Sequence, residues 1–459
     1  MRTLTVIASL LCCLQGRTET VSIDTARVEG VCEGWGVSLC WWAKECGQWS
    51  EEKLDSLIDW LVSPDGLNYN VFRYNIGGGD DPEWAHCTPH HFGLRGGKGL
   101  RAEMEGFRDS PREDYDWSRD ESQRRIMLMI RERRPDAVFE AFSNSAPWWM
   151  TLSGCSAGNG TASEDNLAPD QYSAFARYLV DVCLHYRQEY GIEFRTLEPF
   201  NEPMTDYWRQ NGGQEGCHFD VESQIGLLRV LYPTLRESGL GTVISASDET
   251  SVGQSLRDLR AYSEAGVLPM LGQWNTHTYE GTREDKARLR ELCDSLGIPL
   301  WQSETGAGGR GLMGNLGMAQ RLVDDIRYLK PRVWCDWQYV EQNFDQWSLV
   351  RSDRGWDNFT RHSNYYVRQH FSRFIPKGYR WLEVDDEHGL AALSPDGRTL
   401  VYVTLNASNR RRTVRLLLPQ GAVLKTVYRT SRREQCEEVS TEEGLELPPM
   451  SIATAIYSL

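Results

Sequence analysis

The chain has 459 residues, of which 40% are hydrophobic and 25% are charged. This is the composition of a globular protein that is long enough for one large domain and a smaller one. The formal net charge of −15 argues against a nucleic-acid partner, because such a partner requires a basic protein face.

The first twenty residues have the features of a signal peptide. Arg2 supplies a basic start, residues 4–14 form an apolar core, and Gly16 is a small residue at a suitable cleavage position. We therefore predict a signal peptide over residues 1–20 and a protein that is secreted, or is held at the cell surface or in the periplasm.

Cys12 and Cys13 leave open a lipid-anchored form of the protein. The anchor is the less favoured alternative, because residues 10–11 match a lipoprotein cleavage site poorly. The apolar run is too short to span a membrane, and no second run of spanning length follows. The sequence therefore predicts no membrane span.

From residue 34 onward, β-like apolar runs alternate with amphipathic segments of helical periodicity. One clear helix begins near Tyr172, and Gly191 ends it. Eight strand–helix units of this kind predict an α/β fold, the (β/α)₈ TIM barrel. The predicted strands lie within residues 36–42, 70–76, 137–144, 197–203, 241–246, 271–277, 299–306 and 332–339.

After about Phe374, short β-like runs separated by turns replace the helical periodicity. This pattern predicts an associated antiparallel β-sandwich side domain. The predicted divisions of the chain are a signal peptide (1–20), an N-terminal strand joining the side domain (21–33), the catalytic (β/α)₈ barrel (34–372) and a C-terminal β-sandwich domain (373–459).

Two glutamates end apolar runs in aromatic surroundings. Glu202 lies in an Asn-Glu-Pro sequence, where Pro203 prevents a central strand from continuing, and Glu304 precedes a Thr-Gly turn. The carboxyl ends of barrel strands meet at one face, so both side chains are expected to face one cavity. Paired carboxyl groups are what glycoside hydrolysis requires. We therefore predict a retaining glycoside hydrolase with Glu202 as acid/base and Glu304 as nucleophile.

A metal site is the competing interpretation for His86, Cys87, His90 and His91, which lie close together in the sequence. Chance clustering in a loop is favoured, and we predict neither a metal nor a cofactor. Ten of the twelve cysteines follow the signal peptide without a Cys-x-x-Cys pair, which argues against a zinc ribbon. Export is compatible with disulfides, whose pairing stays open.

An ordered set of motifs resembles glycoside hydrolase family 30, and within it most closely the endo-β-1,6-galactanases. The similarity covers nearly the whole mature chain and is weakest over residues 79–117. The matching segments are residues 34–43, 73–79, 143–150, 201–203, 303–306 and 358–378.

This resemblance implies a barrel with a β-sandwich, hydrolysis with retention of configuration, and no cofactor. By matching position, it implies Glu202 as acid/base and Glu304 as nucleophile. Asn201 is expected to bond the sugar 2-hydroxyl, Tyr279 to orient Glu304, and Arg73 to keep Glu304 charged. The residues implied to hold the sugar are Arg73, Trp149, Asn201, His277, Tyr279 and Trp337.

The expected partner is a β-linked oligo- or polysaccharide, most simply a β-1,6-galactan, and the protein is expected to act as a monomer. Within the same family, β-1,6-glucanase, xylanase or glucosylceramidase activity is the alternative. A non-catalytic carbohydrate-binding protein is the alternative from a different class. The presence of both glutamates argues against it.

Overall fold

The computed structural model describes residues 18–83, 101–210, 212–306, 309–342, 347–353, 358–440 and 445–459. Cys12, Cys13 and the cluster from His86 to His91 lie outside these residues, as does nearly all of the predicted signal peptide. Within the described ranges the chain divides into two compact units. One consists of residues 33–306 and 328–362, and the other of residues 18–32, 309–327 and 363–459.

Strand β1 (Thr18–Val31) opens the described chain and belongs to the second unit. The described part of the first unit contains a closed barrel of eight parallel strands, so the predicted TIM barrel is confirmed. The strands are β2 (Gly34–Ser38), β3 (Val71–Asn75), β4 (Val138–Phe142), β5 (Thr196–Glu198), β6 (Val243–Ser251), β7 (Leu271–Glu280), β8 (Leu300–Glu304) and β9 (Val333–Asp336).

Helices alternate with these strands along the chain. Those of the first unit are α1 (Trp42–Cys46), α2 (Glu51–Val62), α3 (Glu121–Arg133), α4 (Tyr172–Tyr190), α5 (Val221–Glu237), α6 (Val252–Glu264) and α7 (Arg283–Leu296). Short 3₁₀ turns lie at Trp148–Met150, Pro169–Gln171 and Leu268–Met270. Among the described residues, no helix is both long and apolar enough to cross a membrane.

Local sequence explains where two of these helices begin and end. The N–H of Gly191, with φ of +61°, donates to the carbonyl of Arg187 and ends α4 as the sequence predicts. Helix α7 begins with a capping box, in which the Thr282 hydroxyl and the Asp285 carboxylate each accept a backbone N–H of the other residue. These caps satisfy backbone groups that have no partner inside the helix.

Strand β5 is shorter than the predicted strand over residues 197–203. Pro199 has no N–H for a strand ladder, and Glu202 adopts a left-handed backbone with φ of +50°. Both features are incompatible with a continuing strand. Asn201 and Glu202 therefore lie in the loop that follows β5, close to the carboxyl end of the strand.

After β9, a small three-stranded sheet forms from β10 (Val340–Gln342), β11 (Val350–Ser352) and β12 (Phe359–Arg361). The pair β10–β11 is parallel and the pair β11–β12 is antiparallel. Strand β10 contributes one side chain, Glu341, to the wall of the cavity described below.

The second unit contains one continuous nine-stranded sheet in the order β18-β17-β20-β15-β14-β13-β1-β16-β19. Its further strands are β13 (Arg380–Val384), β14 (Gly389–Leu393), β15 (Thr399–Asn406), β16 (Arg412–Leu417), β17 (Val423–Thr430), β18 (Gln435–Val439), β19 (Leu445–Leu447) and β20 (Ser451–Ser458). Helices α8 (Gly311–Asp324) and α9 (Ser363–Ser372) belong to the same unit, and a π-helical turn (Asp325–Leu329) follows α8 in the chain.

The sheet of the second unit curls over a single core. Val427 of β17 and Leu447 of β19 come from opposite ends of the strand order, yet both belong to one buried cluster with Leu400 of β15. A flat sheet of nine strands could not bring its ends together in this way. The predicted antiparallel side domain is confirmed, with its two faces formed by one curled sheet that has a single parallel pair, β1 with β16.

Candidate active site

A cavity of about 550 Å³ lies among the residues that end or follow the barrel strands. Five of the predicted site residues line it. They are Asn201, Glu202, Tyr279, Glu304 and Trp337. These residues come from the ends of β5, β7, β8 and β9, which is where TIM barrels place residues from different strands into one site.

The two glutamates face each other across this cavity. One carboxyl oxygen of Glu202, one of Glu304 and a ring nitrogen of His277 all lie within 4.8 Å of one another. Glu202 is 7% exposed and Glu304 is 3% exposed. Two carboxyl groups that are this close together and this little exposed to solvent resist being ionised at the same time.

Arg73 of β3 binds three carboxyl groups through its three nitrogens. Its Nε lies 2.8 Å from Glu140 Oε1, and its Nη1 lies 3.0 Å from Glu304 Oε2. The remaining Nη2 pairs with Asp248. Arg73, Glu140 and Asp248 are fully buried. The contact of Arg73 with Glu304 agrees with the expectation from the sequence, and it favours the ionised form of Glu304.

Glu140 is an acceptor for several donors inside the barrel. Besides Arg73, it accepts hydrogen bonds from Thr196 Oγ1 at 2.6 Å, from Asn275 Nδ2 at 3.0 Å and from Gln273 Nε2 at 3.2 Å. These donors satisfy the hydrogen-bonding requirement of the buried Glu140 carboxyl group within the protein. Glu140 therefore holds Arg73 through Nε, while Nη1 remains paired with Glu304.

His277 lies between three carboxyl groups. Its Nδ1 is 3.2 Å from Glu202 Oε1 and 3.6 Å from Glu304 Oε1, and its Nε2 is 3.2 Å from Asp248 Oδ1. Burial disfavours the charged imidazole, but Glu304 and Asp248 outweigh it and raise the pKa of His277 to about 10. His277 is therefore a cation at neutral pH, and it reduces the repulsion within the glutamate pair.

Asp248 is a buried anion that serves both cations. Burial acts to raise its pKa, but Arg73 and His277 outweigh burial and lower the pKa of Asp248 to about 2. Ser303 also donates to Asp248. The residue has a left-handed backbone with φ of +59°, a conformation that non-glycine residues adopt mainly where tertiary structure imposes it.

The glutamate pair retains a proton near neutral pH. Burial raises the pKa of Glu304 to about 7, against the opposite effects of His277 and Arg73, and the nearby Glu202 raises it further. Because the two groups interact, this titration belongs to the pair. Among the described contacts Arg73 bonds Glu304 and not Glu202, which favours the negative charge of the pair on Glu304.

Each glutamate also accepts a phenol hydroxyl. Tyr279 Oη donates to Glu304 Oε1 at 3.0 Å, the contact that the expected orienting role requires. Tyr207 Oη donates to Glu202 Oε2 and lies 3.3 Å from the hydroxyl of Thr250. Tyr207 is 46% exposed and lines the cavity, so its ring can move when a substrate binds.

Aromatic side chains form the cavity wall on the Glu304 side. The backbone N–H of Trp337 donates to the carbonyl of Thr305, and the Trp347 ring lies 6.4 Å from the ring of Tyr279. Gly306 makes this packing feasible, because a Cβ at that position would lie 3.3 Å from the Trp347 ring. Aromatic rings in a cavity wall suit the apolar faces of sugar rings.

The structure does not place Trp149 at this cavity. The Trp149 indole N–H donates to the carbonyl of Arg108, whose guanidinium lies over the Trp149 ring at 5.4 Å. The residue is absent from the described cavity lining. Asn201, in contrast, lines the cavity with a buried side-chain oxygen that has no hydrogen-bond partner within the described part of the chain, so it can accept from a sugar hydroxyl.

Sequence reasoning missed Glu140, Asp248 and Tyr207 as site residues. Glu140 interrupts the apolar run of β4, and a charged residue inside such a run is itself a signal, because a buried charge must be paired. Asp248 belongs to none of the motifs recognised in the sequence, and only its place near the end of barrel strand β6 could have suggested it. Tyr207 follows the Asn-Glu-Pro sequence by four residues.

Two clusters within the described residues have the composition of a metal site. The first is the pair of glutamates with His277, where the protonated imidazole has no lone pair to offer a metal. The second is Asp165, His218 and Asp220, where Asp165 already accepts from His218 Nδ1 and from the Asp220 N–H. Neither arrangement favours a metal over the hydrogen bonds already present.

Comparison with known proteins shows the family to which this chain belongs. The family model for O-glycosyl hydrolase family 30 matches residues 18–258. An endo-β-1,6-galactanase of Hypocrea rufa is 31% identical over 409 residues, covering 84% of this chain and 81% of the relative. An endo-1,6-β-D-glucanase of Aspergillus fumigatus is 25% identical over 395 residues, covering 77% and 74%.

Among solved structures, a conserved exported protein from Bacteroides fragilis is similar with a TM-score of 0.80. Its sequence is 20% identical, and the match covers 95% of this chain and 100% of that one. At this identity the likeness concerns the fold alone. The extent of the family match and the identity with the galactanase over most of both chains establish that this chain belongs to O-glycosyl hydrolase family 30.

Proposed function

We propose that this glycoside hydrolase is a retaining endo-β-1,6-galactanase with Glu304 as nucleophile and Glu202 as acid/base. The observation that carries the mechanism is the approach of the two carboxyl groups to within 4.8 Å. Retaining enzymes have carboxyl groups about 5–5.5 Å apart, whereas inverting enzymes need about 6.5–9.5 Å to admit a water.

In the first step, Glu304 forms a bond to the anomeric carbon while the glycosidic bond breaks. Glu202 gives its proton to the departing oxygen, so the leaving group departs as a neutral alcohol. Arg73 and Tyr279 keep a carboxylate oxygen of Glu304 directed toward the cavity. Asn201 offers its unpartnered oxygen to a sugar hydroxyl.

In the second step, Glu202 acts as a base. It takes a proton from a water molecule, the water oxygen bonds to the anomeric carbon, and the bond to Glu304 breaks. Two inversions give net retention of configuration. His277, still a cation, stabilises the carboxylate of Glu202 after it has lost its proton.

The substrate assignment rests on the relatives. The Hypocrea rufa protein is an endo-β-1,6-galactanase and the Aspergillus fumigatus protein an endo-1,6-β-D-glucanase, so both names share the 1,6 linkage and internal cleavage. The higher identity and coverage with the galactanase favour galactan. The predicted signal peptide, whose cleavage position at Gly16 precedes strand β1 (Thr18–Val31), supports action on a polymer outside the cytoplasm.

β-1,6-Glucanase activity is the second candidate, because the relative from Aspergillus fumigatus matches most of this chain as well. Galactose and glucose units differ only in the orientation of one hydroxyl, at C4. Discrimination between the two polymers therefore depends on contacts with that one hydroxyl.

The test is a panel of β-1,6-galactan, β-1,6-glucan, glucuronoxylan and glucosylceramide, with product lengths followed over time. We expect galactan to be cleaved fastest, with oligosaccharides of mixed length appearing first. The Glu304→Gln variant should cleave none of the four and serves as the control for contaminating enzymes. Faster cleavage of glucan would replace galactan as the substrate, and early release of a single short sugar would overturn internal cleavage.

A further inference from the structure

The described cavity wall has two sides, defined by which glutamate they adjoin. Trp337 and Trp347 lie on the Glu304 side. The backbone N–H of Trp337 donates to Thr305, the residue after Glu304, and the Trp347 ring lies near the ring of Tyr279, which donates to Glu304. Tyr207 adjoins Glu202 on the other side. In double displacement the leaving group departs toward the acid, while the sugar that becomes bonded to the nucleophile stays. We call the side of Trp337 and Trp347 the glycone side.

Glu341 of β10 lies in this wall with an unmet bonding requirement. Its side chain is 3% exposed, and one of its oxygens, Oε1, pairs with Arg101 Nη1. The other oxygen, Oε2, is buried and has no hydrogen-bond partner among the described residues. Both residues line the cavity. A buried carboxylate oxygen without a donor is unfavourable, so this oxygen favours a ligand that supplies one.

Arg101 and Glu341 are placed beside an aromatic ring. The guanidinium carbon of Arg101 lies 5.7 Å from the centroid of the Trp337 ring. The wall therefore combines an apolar ring, a carboxylate acceptor and a guanidinium that has further N–H donors. Each sugar hydroxyl can donate one hydrogen bond and accept others. Two adjacent hydroxyls can therefore bond the Glu341 acceptor and the Arg101 donor at the same time.

We infer that Arg101 and Glu341 form a hydroxyl-binding subsite for the glycone, in which Glu341 Oε2 accepts from one sugar hydroxyl and Arg101 donates to its neighbour. The inference rests on the proposed function for the direction of the substrate. Because the pair has one fixed orientation, it discriminates between axial and equatorial hydroxyls. It therefore acts as a specificity determinant between galactose and glucose units.

The test measures binding in the Glu304→Gln background, so that the ligand stays intact. Calorimetry with β-1,6-linked galactotriose and with β-1,6-linked glucotriose gives the two dissociation constants. Adding Glu341→Gln should weaken galactotriose binding by about tenfold or more and glucotriose binding by less. The matched control is Glu105→Gln, which breaks the Lys44–Glu105 ion pair away from the described lining of this cavity and should change neither constant.

The outcomes test separately whether the subsite exists and whether it chooses between the two sugars. A galactotriose dissociation constant that changes less than twofold in a folded Glu341→Gln variant would overturn the subsite. Equal weakening for both sugars would overturn its role in choosing the sugar. Arg101→Met provides an independent variant and should reproduce the Glu341→Gln pattern. Failure of the wild-type enzyme to cleave galactan counts against the proposed function and not against the subsite, since the binding experiment needs no turnover.

Discussion

Each unit of the protein contains a buried arginine that binds carboxylates, and the two clusters differ in charge balance. In the barrel, Arg73 binds Glu140, Asp248 and Glu304. In the curled sheet, Arg412 of β16 binds Asp386 at 2.7 Å, and its Nε reaches Glu19, a half-exposed residue of β1, at 2.9 Å. One arginine thus has three buried anions around it, and the other has one.

The sheet cluster is saturated with hydrogen bonds. Asp386 also accepts from Tyr402 Oη and Thr404 Oγ1, both at 2.6 Å. Arg412 Nη1 donates to Thr404 Oγ1 at 2.7 Å and to the carbonyl of Leu405 at 3.0 Å. Burial acts to raise the pKa of Asp386, but Arg412 outweighs it and lowers the pKa. This arrangement is stable with a single protonation state.

The barrel cluster is not saturated. Arg73 binds the carboxyl groups of Glu140, Asp248 and Glu304. A fourth carboxyl group, that of Glu202, contacts the second cation, His277, and can transfer a proton. The difference indicates which buried charges serve folding and which serve chemistry. A matched pair fixes the structure, whereas an excess of carboxyl groups around shared cations keeps one proton available for transfer.

The largest expected effect comes from Arg73→Met, with Arg412→Met as the matched control. Removing Arg73 leaves Glu140 without a cation and leaves His277 alone with Asp248 and Glu304, so we expect the free energy of unfolding to fall by about 3–5 kcal/mol. We also expect kcat/KM to fall about 10³-fold, equivalent to ~4 kcal/mol of transition-state stabilisation. Urea denaturation and initial rates on galactan measure the two quantities.

The Arg412→Met control tests whether the sheet cluster contributes to stability alone or also to activity. Arg412→Met should lower the free energy of unfolding by about 1.5–3 kcal/mol, the range for hydrogen bonds to a charged group, and should leave kcat/KM of the folded protein unchanged. Equal losses of activity in the two variants would contradict the distinction between a structural and a catalytic cluster.

The second prediction concerns pH. The active form has one proton on the glutamate pair, and this proton is lost as the pH rises through about 7, the value to which burial raises the pKa of Glu304. We expect kcat/KM on galactan to fall about tenfold per pH unit above that point. The profile is measured from initial rates between about pH 4 and 9.

The Glu202→Gln variant tests whether the alkaline decline in activity depends on the proton that Glu202 transfers. With an activated aryl galactoside the first step needs no general acid, so its kcat/KM in this variant should show no alkaline decline near pH 7. A decline that persists in Glu202→Gln would mean that the titrating proton belongs to another group. The sheet cluster has no part in this profile, and Arg412→Met should retain the wild-type curve.

The smallest expected effect distinguishes two tyrosines that each donate to a carboxyl group. Tyr207→Phe removes a donor from Glu202 at a half-exposed position, so we expect kcat/KM to fall about tenfold with little change in stability. Tyr402→Phe removes a buried donor from Asp386, so we expect a loss of about 1.5–3 kcal/mol in stability and unchanged kcat/KM. The reverse pattern would contradict the assignment of the two clusters.

Much of the fold could be predicted from the sequence, because each barrel strand ends in a recognisable polar or aromatic residue. Because both glutamates end predicted barrel strands, whose carboxyl ends meet at one face, the sequence also indicated that Glu202 and Glu304 share one cavity. The position of Glu202 after β5 was harder, since a left-handed residue beyond Pro199 has no periodic signal. The single curled sheet could not be predicted either, because strand order depends on pairing between distant segments.

The rest of the site depends on contacts that no local pattern encodes. Glu140 and Asp248 acquire their roles only because β3 brings Arg73 between them. Trp149 has the residue type of a sugar platform, but its indole is turned to the carbonyl of Arg108. Glu341 lies in a short strand after the barrel, and only the structure reveals that one of its oxygens is unpartnered in the cavity wall.

The most direct test of the account is the configuration of the sugar at the moment of its release. If Glu304 attacks the anomeric carbon and water later displaces it, the first product has the β configuration. Proton NMR of a fresh reaction with β-1,6-galactan follows the anomeric signals before mutarotation. We expect the β signal first and the α signal only later. An α product at the earliest times would contradict Glu304 as nucleophile and the double displacement that follows from it.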